Sequence, residues 1–159
     1  MADTCRTIHT SPQRVFAVLA DGWSYAGWVV GAAHIRDVDD GWPAVGTRVH
    51  HQVGPWPLHI KDQTTVRAVE PDRLLELDAR AWPLGAGRIR LELRAVAADA
   101  TEVLMVETLT SGLGKLIPRR AQAMLLKPRN NEALRRLDDL AVHRRPVTPQ
   151  PPAPGVRPV

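Results

Sequence analysis

The chain has 159 residues, 44% apolar and 24% charged, a size and mixture that fit one globular domain around one core and exclude two full domains. Its formal net charge is +4 and its pI about 10.0, but Arg144, Arg145 and Arg157 lie in an acid-free tail. Taking those three away leaves +1, with acids and bases interleaved along the remaining segments, which excludes a broad phosphate-binding stripe and leaves no nucleic acid expected as a partner.

The opening stretch, MADTCRTIHTSPQRVF, has neither a basic nor an apolar leader region, and no apolar run reaches the roughly 20 residues of a bilayer span. A cytoplasmic protein without stable membrane insertion is expected. Cys5 is the only cysteine, so no internal disulfide forms, and nothing near it has metal-ligand or redox spacing.

Thr4 to His9 reads as a first strand. Ser11-Pro12 is a helix start, because the serine oxygen caps free N–H groups and the proline lacks the N–H that would otherwise go unpaired. The helix runs from Pro12 to about Ala20 with Val15, Phe16, Val18 and Leu19, and Asp21-Gly22 leads into a second short helix, Trp23 to Trp28. The middle of the chain then alternates at period two. Ile60, Thr64, Val66 and Ala68, then Leu75, Leu77, Ala79 and Ala81, then Ile89, Leu91 and Leu93 form apolar faces against charged or polar intervening residues. With shorter runs at Ala33 to Val38, Arg48 to Val53 and Glu102 to Leu109, six strands follow the first helices. The turn-rich breaks between them are short, which implies neighbouring antiparallel strands.

After Ser111-Gly112-Leu113-Gly114 the period becomes helical to about His143, with Ile117, Ala121, Met124, Leu125, Leu134, Leu137 and Ala141 as the buried stripe and Pro128 as a kink. About 26 residues at 1.5 Å each give roughly 40 Å, enough to cross a sheet. From Arg144 to Val159 the prolines recur too often for helix or sheet, giving a division into a folded part, 1–143, and a disordered Pro-rich tail, 144–159.

One strand, two short helices, six strands and one long helix make an α+β fold in which a seven-stranded antiparallel sheet has too few helices to cover it. Seven strands about 4.8 Å apart span about 30 Å, whereas one helix covers about 10 Å. The sheet must curl around the long helix, and the space left between them is a cavity lined by inward side chains.

This order, with Thr10-Ser11-Pro12 before a helix carrying Val15 and Phe16, the Trp23/Trp28 segment, and a closing helix after a glycine-rich turn, resembles the START/Bet v 1-like (SRPBCC) helix-grip superfamily. Within it the chain looks like the bacterial polyketide cyclase/dehydrase and lipid-transport branch, over about residues 4 to 143. The resemblance is architectural, so it implies fold and ligand class more than activity. It implies binding or transport of a hydrophobic small molecule, such as a lipid, polyketide or sterol-like compound, with no cofactor. A cyclase/dehydratase-type enzyme is the alternative.

Alternation places His51 beside Val49 and Val53, Asp62 beside Thr64 and Val66, and Glu107 beside Val103, Met105 and Leu109, all facing inward. An apolar setting moves both carboxylates and histidine toward neutrality, the condition for general acid/base work, so His51 with Asp62 or Glu107 is the candidate catalytic set. The structural alternative is that these groups bond one another, Thr64 or cavity water. Candidate ligand contacts are Trp28, Trp56 and Trp82, at the helices and strand ends that form a pocket rim, with Leu77, Leu91, Met105 and Met124 inside. Metal is excluded as an expectation, since His50 and His51 point to opposite faces and no His-x-His or Glu-x-x-His spacing occurs. The fragment Gly112-Leu113-Gly114-Lys115-Leu116 lacks the first glycine and the Ser or Thr of a phosphate loop, and is a turn. Arg88, Arg90 and Arg94 form the wet face of one strand. They and the Pro-rich tail motivate a third reading, an RNA or protein interaction module. An edge strand leaves monomer and homodimer both open.

Overall fold

The Ser11 hydroxyl accepts from the Arg14 backbone N–H and starts helix α1, Pro12–Leu19, whose Val15, Phe16, Val18 and Leu19 are all buried. A computed structural model describes residues 2–54, 57, 60–81 and 85–144 of the chain. Trp56, Trp82 and residues 145–159 of the tail lie outside that set. Asp21 then caps a single 3-10 turn, Gly22–Ser24, which passes directly into α2, Tyr25–Trp28. Gly22 is needed here, because a Cβ on it would lie 2.6 Å from the Val38 side chain.

The strands are β1 Ala2–Ile8, β2 Ala32–Val38, β3 Arg48–Val53, β4 Ile60–Glu70, β5 Leu74–Ala81, β6 Gly85–Ala97 and β7 Ala100–Ser111. They form one antiparallel sheet in the order β1-β7-β6-β5-β4-β3-β2. Chain neighbours pair throughout, and only β1 is carried across to the far edge. Register shifts within β2–β3, β4–β5 and β6–β7 add twist and bend the sheet into a trough. The shift in β4, between Val66 and Ala68, also changes the expected face: Val69 packs against the core in place of a regular continuation through Ala68. At the other end of β4, Ile60 is exposed.

Helix α3, Arg119–His143, lies in the trough against β1, β7, α1 and α2. Its contact residues are Gln122, Leu126, Asn130, Ala133, Leu134, Leu137 and Ala141. The expected stripe holds in the second half of the helix and fails in the first. Ala121, Met124 and Leu125 face outward, and Met124 is 80% exposed. Gln122 and Asn130 occupy the inner register instead. The helix runs on through Pro128 as one element.

The arginines of the convex face are engaged by carboxylates. Arg88 meets Asp78 and Glu76, Arg90 meets Glu76 and Glu92, and Arg94 meets Glu102. Such a mixed ladder has little net field, and this removes the observation that motivated an interaction module acting through those residues. Among the described residues no helix is long and apolar enough to cross a membrane.

Candidate functional site

The inner face is apolar over most of its area: Leu75 and Leu77 on β5, Ile89, Leu91 and Leu93 on β6, and Val103 and Met105 on β7 are buried against Leu134 and Leu137 of α3. Leu77, Leu91 and Met105 therefore stand where the alternation put them, and Trp28 is 2% exposed in the same cluster. Met124 does not join them. Trp56 and Trp82 fall outside the described residues.

The cross-strand row Val49, Thr64, Ala79, Gly87, Leu109 crosses five adjacent strands on the inner face. Its middle members are small, which leaves the centre of the trough shallow in side chains. Ala79 remains half-exposed although it lies on the inner face of a central strand. A Cβ added at Gly87 would approach Glu107 Oε1 to 3.8 Å, so the missing side chain opens space beside that carboxyl.

On one flank of this row stands a hydroxyl and imidazole chain. Thr64 Oγ1 lies 2.7 Å from the Tyr25 hydroxyl and 3.0 Å from His51 Nε2. The Tyr25 ring stacks on His51 at 5.2 Å and meets Trp28 edge-on at 5.5 Å. Burial pushes the Tyr25 phenol up to about 12, so it acts as a neutral donor or acceptor. Burial also lowers the His51 pKa, against the raising influence of the Asp62 charge. A neutral imidazole with one nitrogen on Thr64 has the other, Nδ1, without a partner among the described residues.

Asp62 is the direct cross-strand neighbour of His51 and is 6% exposed, yet it does not orient the ring by a hydrogen bond. The pairing of β4 with β5 ends at Thr64 and Ala79. Beyond that pair the two strands part, and the freed Gln63 N–H donates to Asp62 Oδ1 at 2.7 Å. Arg80 reaches the same oxygen at 3.7 Å. The parting leaves a hollow of about 200 Å³ lined by Arg36, Lys61, Asp62, Gln63 and Arg80. Asp62 thus acts on His51 through its field and belongs to a small polar opening in the sheet.

Glu107 stands on the opposite flank, with β6 and β5 between its strand and that of Asp62. It is 1% exposed, and its Oε1 accepts from Arg129 Nη2 of α3 at 2.8 Å. Burial raises its pKa; Arg129 and the nearby Asn130 amide oppose that rise without cancelling it. Glu107 Oε2 and both amide atoms of Asn130, a wholly buried residue, have no hydrogen-bond partner among the described residues. Asn130 thus influences the carboxyl without meeting hydrogen-bond geometry.

All three candidate catalytic residues are buried, but they form two groups. His51, Asp62, Thr64 and Tyr25 lie at one wall, and Glu107, Arg129 and Asn130 at the other. The charges of both Glu107 and Asp62 act on Tyr25. Tyr25, Arg129 and Asn130 were missed from the sequence. Asn130 carried a usable signal, since it stands four residues from both Leu126 and Leu134 on the helical face. Among the described residues no three His, Cys, Asp or Glu side chains are grouped to hold a metal ion. A larger hollow of about 540 Å³ lies elsewhere, between α1 and the outer ends of β4 to β6, and is lined largely by charged side chains such as Glu70, Asp72, Arg90 and Glu92.

A curved seven-stranded sheet around a C-terminal helix, with two short helices after the first strand, is a helix-grip fold. No protein-family model and no curated protein matches the sequence. Among solved structures the chain is similar to the ZhuI aromatase/cyclase of a Streptomyces species, at 18% identity over 90% of this chain and 93% of that one, with a TM-score of 0.64. It is similar to Ara h 8.0201 at 11% identity over 88% and 95% of the two chains, with a TM-score of 0.64. It also matches part of the di-domain aromatase/cyclase StfQ of the steffimycin pathway, at 16% identity over 89% of this chain and 44% of that one, again with a TM-score of 0.64. At these identities the likeness is one of fold.

Proposed function

We propose that this chain binds a mainly apolar small molecule between the sheet and α3, and that the ligand carries a polar group which meets Glu107 and Asn130. One observation carries this reading: a largely apolar interior presents Glu107 Oε2, both Asn130 amide atoms and His51 Nδ1 without partners among the described residues. An unsatisfied buried polar group costs about 1–3 kcal/mol, so four such atoms in one trough favour an occupant that satisfies them. The free Glu107 Oε2 accepts, and the Asn130 amide both donates and accepts, so a ligand hydroxyl next to a carbonyl is complementary. The apolar walls of Leu77, Leu91 and Met105 supply the larger part of the binding free energy. Native mass spectrometry of the purified chain, with thermal shifts against lipid, sterol and aromatic polyketide panels, tests it. Retention or stabilisation by an apolar hydroxycarbonyl compound is expected. No retained compound and no shift across all panels refutes it.

A second reading, a cyclase or dehydratase acting on a polyketide-like substrate without metal, is favoured by the paired direction of two pKa changes. His51 is held neutral and can accept a proton, while Glu107 is shifted toward its protonated form and can give one. Removal of a proton alpha to a carbonyl at the His51 wall and protonation of an oxygen at the Glu107 wall require a substrate long enough to span the trough. Turnover of a poly-β-ketone analogue that is lost in both His51→Ala and Glu107→Gln supports it. Turnover unchanged in either variant excludes it.

A further inference from the structure

The even mixing of charge expected along the chain breaks down most over one segment. Residues 108–131 contain Lys115, Arg119, Arg120, Lys127 and Arg129 and no Asp or Glu. Arg129 is turned inward onto Glu107. The other four are exposed, and among the described residues none forms an ion pair, whereas Arg135 and Arg136 further along the same helix are held by Glu132.

The same segment carries four of the large apolar side chains that face solvent. Leu113 and Leu116, on the 3-10 turn Leu113–Leu116, are 68% and 80% exposed, and Met124 and Leu125 are 80% and 58% exposed. On α3 the outward residues Ala121, Met124, Leu125 and Pro128 follow the i, i+3, i+4, i+7 spacing of an amphipathic face. That face is turned away from the protein, while Gln122 and Asn130 are turned into it. Arg120 and Lys127 flank it on one side, and Lys115 and Arg119 lie at its N-terminal end. Beside the 3-10 turn and the N-terminal end of α3 lies a hollow of about 420 Å³, lined by Leu109, Leu116, Ile117 and Gln122 among others.

We propose that this chain docks peripherally on anionic lipid surfaces through the outward face of the first half of α3 and the 3-10 turn before it. Exposed apolar side chains on two successive elements suit shallow insertion among acyl chains, and the cations beside them suit phosphate headgroups. A second copy of the chain is disfavoured as the occupant, since a symmetric contact would bring two acid-free cationic faces together. The tail is no better matched, because residues 145–159 add Arg145 and Arg157 and no acid. The docking does not depend on the interior ligand.

The test is flotation of the full chain with vesicles of phosphatidylcholine containing phosphatidylglycerol, at low and high salt, against vesicles of phosphatidylcholine alone. Binding to the anionic vesicles, lost at high salt, is expected. Neutralising two cations in the double variant Arg120→Gln and Lys127→Gln weakens partitioning by about 30-fold, at a contribution near fivefold for each cation close to the surface. The double variant Met124→Ser and Leu125→Ser, which keeps every charge and alters only exposed positions, loses at least about tenfold. Unchanged melting temperatures establish that both variants fold. Absence of flotation at low salt, or undiminished flotation of the serine variant, overturns the proposal. So does binding of soluble polyglutamate without vesicle binding, which reassigns the face to an acidic protein, or a concentration-dependent dimer abolished by the serine variant in place of vesicle binding.

Discussion

Replacing Asn130 with leucine separates stability from binding in a way that few interior substitutions can. The residue is wholly buried on α3 and neither amide atom has a partner among the described residues. An apolar side chain of similar size removes a buried unsatisfied group, a gain of about 1–3 kcal/mol in the ligand-free protein. Leucine also raises helix propensity by no more than about 0.7 kcal/mol, and Asn131→Leu, on the exposed neighbour, measures that part alone. For a domain of this size each kcal/mol moves the melting point by about 2–4 °C, so Asn130→Leu should melt on the order of 2–15 °C higher. The same change removes a donor and an acceptor from the trough, so a ligand that satisfies them binds about 10- to 100-fold more weakly. Calorimetry of the apo protein and titration with whichever panel compound shifts the wild type give both quantities. If Asn130→Leu gains no more than Asn131→Leu, the amide is already satisfied in solution, and the argument that the trough is built for a polar ligand group fails.

The titrating groups give two further outcomes. Because the Glu107 pKa is raised in the fold, its contribution is fully favourable below the unfolded value of 4.5 and is lost as pH rises through the folded value; Glu107→Gln should flatten that part of a stability-against-pH curve, and an unchanged curve counts against it. The His51 pKa is lowered, so the folded state loses stability as pH falls below the ordinary histidine value of about 6.5. NMR should show its ring titrating at lower pH than that of an exposed histidine. Gly22→Ala forces a methyl group to 2.6 Å from Val38 and should cost about 1–3 kcal/mol in urea unfolding. Leu137→Ala, at a wholly buried position under the sheet, should cost about 2–5 kcal/mol.

The sheet was legible because alternation is a strong signal wherever one face is wet. Ile89, Leu91 and Leu93 against Arg88, Arg90 and Glu92 fixed both the strand and its inner side. The burial of His51, Asp62 and Glu107 followed from the same parity. It failed where the backbone departs from a regular ladder: the shift between Val66 and Ala68 exchanged the expected Ala68 for Val69. The parting of β4 from β5 turned the Asp62 carboxylate toward Gln63 and Arg80 rather than His51. Parity says which face a side chain leaves from, and says nothing of what bulges and strand ends do to its far end. The distance between His51 and Glu107 was equally out of reach, because it depends on strand order and curvature.

Helix α3 is the instructive failure. Its period was readable along its whole length, but a helix has two faces and periodicity alone does not say which is buried. In the second half Leu134, Leu137 and Ala141 face inward, and the ordinary assumption that the apolar stripe packs on the core holds. In the first half the assumption inverts: the apolar positions Ala121, Met124 and Leu125 lie outside, and Gln122 and Asn130 lie inside with Leu126 between them. Gln122 is satisfied by the carbonyls of Gly114 and Ile117, so it anchors the turn before the helix, whereas Asn130 has no such partner. The inversion links the two proposals physically. A helix segment that buries the Asn130 amide without a partner among the described residues and turns Met124 and Leu125 into solvent gives up a hydrogen bond on one face and apolar burial on the other. Both losses are recovered together if the inner face meets a ligand polar group and the outer face meets a lipid surface.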